Sequence, residues 1–301
     1  MNVLILYANR AEKSILDPIV SELHNKNINY EYINLSTVIE DLDNDKNLSK
    51  IYDFIYNYSN DISFGIVIGD RREIMFATLA LFVRNIPFYQ MASGDLSEKI
   101  TLVDDYFRHL VTIISSKQIC FSKNSLHLTN TLLDIMNIKQ ESKYLPNPTL
   151  SNIDIDSLKN TISEKYDLIL MHPQSLSYEG TLKDKEELLK VIDDSKLKII
   201  IRGNKDKNYE VYYDLWEKFK NNKKYIVYDN LEKRNFFSLL KYTDKFITNS
   251  SCSYYEAPIF LEESKIIRIG GRNDKREIVN YNREEINSAE KIVNFMLGDN
   301  R

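Results

Sequence analysis

The sequence predicts an α/β protein made of two Rossmann-like domains, on three observations. Short apolar runs alternate with longer amphipathic segments along the whole chain, the rhythm of strand–helix repeats. The apolar runs are continuous, as in parallel strands covered on both faces. At 301 residues the chain exceeds the range, about 250–300 residues, in which single cores stop growing.

In the first half the expected strands are Val3–Tyr7, Tyr30–Ile33, Phe64–Ile68, Pro87–Met91 and Gln118–Cys120. Helical segments are expected at Ser14–Lys26, Arg72–Arg84, Leu102–Ile114 and Ser125–Met136. The pattern lapses after Met136, and Leu145-Pro146-Asn147-Pro148 leads into a polar stretch, Ser151 to Asp156, that reads as a linker. Domains are therefore expected over 1–148 and 149–301. In the second half, strands are expected at Leu168–Met171, Lys198–Ile201, Tyr225–Tyr228, Lys245–Ile247 and Ile266–Ile269. Helices are expected at Lys183–Ile192, Tyr209–Lys220, Lys233–Lys241 and Ser253–Leu261, with a last helix near Arg283–Met296 closing the second domain. Sheets of this kind bind ligands beyond the C-terminal ends of their strands, so functional residues are sought there.

Composition narrows the function. With 43% apolar and 11% aromatic residues the chain can bury true cores, which excludes wholesale disorder. A net charge of −4 speaks against a nucleic-acid binder but leaves room for a local cationic pocket. Cys120 and Cys252 lie far apart, with neither metal-ligand nor disulfide-framework spacing, which fits a reducing cytoplasm. Met1 to Tyr7 is apolar but short and reads as a strand, not a signal peptide. No apolar run approaches the roughly 18–20 residues of a membrane span.

Several strand ends carry chemistry. Asn9-Arg10-Ala11-Glu12 follows the first strand; Arg10 could reach a pyrophosphate, and the segment could equally be a helix cap. Gly69-Asp70-Arg71-Arg72-Glu73 follows the strand Phe64–Ile68; Asp70 is a base or hydroxyl ligand in one reading and an N-cap in the other. Asp95 follows the strand Pro87–Met91, and Asp104 and Asp105 open the next helix. Carboxylates close together divide acid and base roles, although acids in a first turn also complement the helix dipole. His109 reads as a structural histidine. In the second half His172-Pro173 ends a strand, which makes His172 an acid/base candidate. Asn249-Ser250-Ser251 at a helix start suggests an anion site for a diphosphate, with Glu256 placed to accept from ribose hydroxyls. Gly270-Gly271-Arg272 through Arg276 adds two arginines, in a phosphate screen or a solvated turn.

Together these segments resemble the UDP-N-acetylglucosamine 2-epimerase family, in its hydrolysing, sialic-acid-pathway branch. The resemblance is carried by Asn9–Glu12, Gly69–Glu73 with Asn85-Ile86-Pro87, Gly94-Asp95, Asp104–His109, His172-Pro173, Asn249–Pro258 and Ile269–Arg276, in one order along the chain. It implies a GT-B arrangement with a central cleft and a reaction without metal or nicotinamide cofactor. The C2 proton is removed and UDP expelled, leaving a 2-acetamidoglucal, and water then gives the free 2-epimer. It implies further that Arg10, Ser250, Ser251 and Arg272 hold the diphosphate and Glu256 the ribose, with Arg276 also binding the UDP-sugar. Asp70, Asp95 and Asp104 or Asp105 would share proton transfer, with His172 near the pyrophosphate or the sugar, in a cytoplasmic homodimer or larger assembly. The chain departs from the family in two places: Asp95 stands where the family has glutamate, and Ile28–Ser63 lacks the family's loop of glycine and histidine. A UDP-sugar glycosyltransferase and a catalytically silent nucleotide-sugar binder are the alternative readings.

Overall fold

The computed structural model describes residues 1–39, 47–97, 103–174, 177–192, 195–203 and 206–298. The chain forms two compact units, Met1–Asn152 with the segment from Tyr281 onward, and Ile153–Asn280. Among the described residues no helix is long and apolar enough to cross a membrane.

The first unit alternates β1 (Asn2–Tyr7), α1 (Arg10–Asn25), β2 (Asn29–Asn34), α2 (Leu48–Tyr56), β3 (Phe64–Ile68), α3 (Arg72–Val83), β4 (Phe88–Met91), α4 (Val103–Ile114), β5 (Lys117–Cys120), α5 (Lys123–Ile135) and β6 (Glu141–Tyr144). All strands pair in parallel, in the order β2-β1-β3-β4-β5-β6. Every residue of β3 is buried, as expected for a central strand with helices on both faces. Leu4, Leu6 and Val67 from the sheet meet Ile74, Ala77 and Leu81 of α3 in the main core.

The second unit runs β7 (Tyr166–Met171), α6 (Tyr178–Val191), β8 (Leu197–Arg202), α7 (Glu210–Phe219), β9 (Tyr225–Tyr228), α8 (Lys233–Tyr242), β10 (Lys245–Thr248), α9 (Cys252–Tyr255), α10 (Ala257–Phe260) and β11 (Ile266–Arg268). Its strands are also parallel, in the order β11-β10-β7-β8-β9. Ile169, Met171 and Ile200 pack against Leu188, Tyr212 and Trp216. The order reverses direction between β1 and β3 in the first unit and between β7 and β10 in the second. Loops diverge to opposite faces at such points, leaving a crevice at the strand ends.

Four expectations are corrected. α11 (Arg283–Ile286) and α12 (Ala289–Leu297) replace the single last helix and belong to the first unit, not to the second. They are stitched there by Ser151 Oγ, which accepts from the Ser288 and Ala289 amides, both at 3.1 Å. Lys117 Nζ adds a bond to the Phe295 carbonyl at 2.8 Å. The helix expected over Ser253–Leu261 is two short helices that break at Glu256, ahead of Pro258, which has no N–H to continue the ladder. β6 and α2 were not expected at all.

Candidate active site

At the end of β1, Asn9 caps α1. Its side chain accepts from the Glu12 amide at 2.9 Å, and the Glu12 carboxylate accepts from the Asn9 and Ala8 amides, a closed capping box. Glu12 is buried at 6% exposure beneath Gly69, where a Cβ would stand 3.1 Å from Oε1. Burial pushes its pKa up to about 8. Arg10, one residue into the helix, is exposed. The capping reading therefore holds for Asn9, and Arg10 is left at the surface of the β1 end.

At the end of β3, Asp70 is not a cap. The N-cap of α3 is Arg71, which makes no side-chain capping bond. Asp70 instead pairs with Arg108, which is 1% exposed and comes from α4. Arg108 Nη1 also donates to Asp105 Oδ1 at 2.7 Å and to the Asp95 carbonyl. One guanidinium thus gathers the end of β3, the turn after β4 and the first turn of α4. Asp105 is fully buried and accepts from the Ser97 amide at 3.2 Å and the Ser97 hydroxyl at 3.0 Å. Asp95 is 2% exposed, and its carboxylate accepts from the Ser125 hydroxyl of α5. Asp104 is half-buried, and the Asp70 side chain is 28% exposed. The four candidate acids therefore divide into two that reach the surface and two locked inside. His109 is half-buried and its pKa is lowered, by burial first and by Arg108 second.

Sequence reading missed Arg108 as the hub and Ser125 as a partner. A signal existed for Arg108: Asp105, Arg108 and Thr112 fall at helical spacing, and all three lie on the buried face of α4. A polar set at that spacing implies an internal network, because unpaired polar groups are expensive to bury.

In the second unit the reversal between β7 and β10 is closed by one side chain. Asn249 Oδ1 accepts from the His172 amide and Nδ2 donates to the His172 carbonyl, both at 2.8 Å. Asn273 Nδ2 donates to the Asn249 carbonyl at 2.8 Å, and Arg276 Nε to Asn273 Oδ1 at 2.8 Å. Arg276 also reaches the Tyr255 hydroxyl at 3.3 Å, and Arg272 Nη1 donates to the Pro173 carbonyl at 2.9 Å. His172, Asn249, Arg272 and Arg276 are thereby joined in one network. Glu256 is buried at 8% exposure, at the break between α9 and α10.

Of the hydroxyls and amides expected to form an anion site here, several amides are bonded within the turn. α9 has four residues, and Ser251 caps it without a side-chain bond. The Ser250 amide is spent on Thr248 Oγ1 at 3.0 Å, the Cys252 amide on Ser250 Oγ at 3.4 Å, and the Ser253 amide on the Ser250 carbonyl at 3.2 Å. The side chains of Ser250 and Ser251 are half-buried in this turn, and Arg272 is held on the neighbouring loop.

A family model described as UDP-N-acetylglucosamine 2-epimerase matches residues 46–293. The chain belongs to that family. β1 and the Asn9–Glu12 segment lie outside the matched range. A hydrolyzing GDP/UDP-N,N'-diacetylbacillosamine 2-epimerase of Campylobacter jejuni is 28% identical over 223 residues, covering 70% of this chain and 57% of that protein. The polysialic acid biosynthesis protein P7 of Escherichia coli is 24% identical over 242 residues, covering 76% of this chain and 59% of that one. The chain thus spans under three fifths of the length of these curated relatives. Among solved structures, the UDP-GlcNAc 2-epimerase of Neisseria meningitidis bound to UDP-GlcNAc superimposes with a TM-score of 0.75 at 16% identity, covering 100% of both chains. The Methanocaldococcus jannaschii enzyme in complex with UDP-GlcNAc and UDP gives 0.73 at 17% identity, over 99% of this chain and 100% of that one. At such identities the likeness is one of fold, two parallel-sheet α/β domains.

Proposed function

We propose that the protein is a hydrolysing 2-epimerase acting on a UDP-linked 2-acetamido sugar. The observation that carries the reading is the Arg108 fork, which fixes Asp70 and the turn bearing Asp95 at the strand ends beside the first unit's reversal point. The family membership and the Campylobacter relative named as hydrolyzing support it. In the proposed reaction a carboxylate takes the C2 proton, and the C1–O bond to the diphosphate breaks. UDP leaves and a 2-acetamidoglucal remains. Water then adds its hydroxyl at C1 while C2 regains a proton on the opposite face, giving the free 2-epimer.

Asp70 and Asp104, the two acids that reach the surface, exchange protons with the sugar. Asp95 and Asp105 support the surface pair from inside, a division that their lower exposure supports. Ser250, Ser251, Arg10, Arg272 and Arg276 stabilise the leaving diphosphate, Glu256 accepts from the ribose, and His172 faces the anion. The fall in cost of breaking the C1–O bond then comes from fixed cations and hydroxyls. As to assembly, α3 leaves Leu79, Phe82 and Val83 exposed and the adjacent α4 leaves Tyr106 and Leu110 exposed, which supports a homodimer through this face.

The test is incubation with UDP-N-acetylglucosamine and UDP-N,N'-diacetylbacillosamine in deuterated water, followed by proton NMR. Release of UDP with a free 2-epimer deuterated at C2 is expected from one of them. Saturable UDP binding without turnover of either would replace the reading with a silent nucleotide-sugar binder.

A further inference from the structure

No sequence motif singles out Asp184, yet it ties together the ends of three neighbouring strands. It lies on α6 and is 3% exposed. Its Oδ2 accepts from Gln174 Nε2, beyond β7, and from Asn249 Nδ2, beyond β10, both at 3.0 Å. Its Oδ1 sits against Gly270, beyond β11, where a Cβ would fall 2.1 Å from that oxygen. β11, β10 and β7 are adjacent in the sheet.

We propose that Asp184 is a positioning residue for the nucleotide side of the site, setting the orientation of the Asn249 amide and through it the backbone of His172. This rests on the functional reading above. The physical basis is the difference between a carboxylate and an amide. An ionised carboxylate only accepts, whereas a side-chain amide has two N–H donors at one end and an oxygen at the other. Asn249 gives one hydrogen to Asp184 and one to the His172 carbonyl, and its oxygen receives the His172 amide. Turned over, it would set oxygen against carboxylate and N–H against N–H. The carboxylate thus adds to the His172 amide and carbonyl in excluding the alternative orientation of a group that clamps both polar atoms of that backbone. In a buried network, each such choice constrains the next. Gly270 belongs to the same device, because any side chain there would displace the carboxylate.

Two effects of Asp184 on an anionic ligand have opposite sign. Its negative charge, close enough to Arg272 to interact with it, disfavours a diphosphate, whereas its hold on the loops favours one. The proposal requires the second to win, so the sign of a single substitution decides it.

The experiment uses Asp184→Ala, which removes the acceptor that the Gln174 and Asn249 donors share. UDP affinity by titration calorimetry should fall about 10- to 100-fold, the size of effect that outer partners of a binding group exert at metal sites. KM should rise with kcat within about 2-fold, while the melting temperature stays within a few degrees. Hydrogen–deuterium exchange should speed up at the His172 amide. Asn249→Ala should reproduce both effects and add little in the Asp184→Ala background, as expected for members of one network. Unchanged or tighter UDP binding overturns the proposal, and so does weaker binding with unaltered exchange at His172. A wild type that binds no UDP overturns the functional reading instead, and His172 exchange then still judges the hold of Asp184 on the loop.

Discussion

Arg108 shows how much one side chain can decide. A guanidinium carries five donors in a fixed fork, and here they serve Asp70, Asp105 and a backbone carbonyl at once. Lysine offers one compact charge and cannot hold all three. Arg108→Lys should therefore lower kcat on the order of 100-fold, the cost of misplacing a reacting group by about 1 Å. KM and UDP affinity should stay within a few-fold. Steady-state kinetics that show an unchanged kcat would remove the fork from the mechanism. Glu12 poses a different question, one of pH. Burial disfavours the charge and holds its pKa at about 8 in the folded state, above the ordinary glutamate value of 4.5. The folded state therefore holds a proton that the unfolded chain has released. The stability this group contributes is fully present below pH 4.5 and lost as pH rises towards 8. Glu12→Gln, which keeps the acceptor oxygen of the capping box, should match the wild type in melting temperature near pH 5 and exceed it at pH 8. Parallel curves across that window would mean that Glu12 does not titrate there.

At the scale of elements, the tightest constraint is the turn between β4 and α4. Gly94 has φ of 72°, and a Cβ would fall 2.1 Å from the Ser125 carbonyl oxygen and 2.4 Å from Thr129 Oγ1. This absence of a side chain lets α5 come close enough for Ser125 to bond Asp95. Gly94→Ala combines strain with a collision against backbone and should cost about 2–3 kcal/mol, lowering the melting temperature by roughly 5–10 °C. Gly298, also left-handed at φ of 84° but with no atom within 4 Å of a Cβ, should cost only about 1 kcal/mol on the same change. Equal melting shifts for the two variants would reject the packing argument. The elements were largely legible in the sequence because β1, β3, β7 and β8 are continuous apolar runs, and their ends mark where chemistry can sit. β6 was not legible: Glu-Ser-Lys-Tyr has no apolar run and alternates in exposure as an edge strand does. The break at Glu256 had a signal in Pro258, which the helix expected over Ser253–Leu261 runs through because its apolar spacing fits one helix. The pairing of Asp70 with Arg108, 38 positions apart, depends on how α4 lies across the sheet, which no local pattern encodes.

At the scale of the molecule, the chain leaves its first unit after Asn152 and returns to it at Tyr281. Ile292, Val293, Phe295 and Met296 of α12 are buried there. Such an apolar stripe would satisfy either unit when read from sequence, so only the fold could assign it. The same unit exposes large apolar side chains on α3 and α4. Leu79, Phe82 and Val83 fall at helical spacings of three and four, as do Tyr106 and Leu110, with Phe82 50% and Tyr106 61% exposed. A helix apolar on nearly all sides is normally covered, and a twofold dimer covers a self-complementary patch with its own copy. Phe82→Glu places a charge in that face without touching the buried side, where Ile74, Ala77 and Leu81 pack. By light scattering the wild type should have twice the mass of one chain and the variant the mass of one, with circular dichroism unchanged. A wild type that is already monomeric, or a variant that stays dimeric, would show that α3 and α4 do not form the interface.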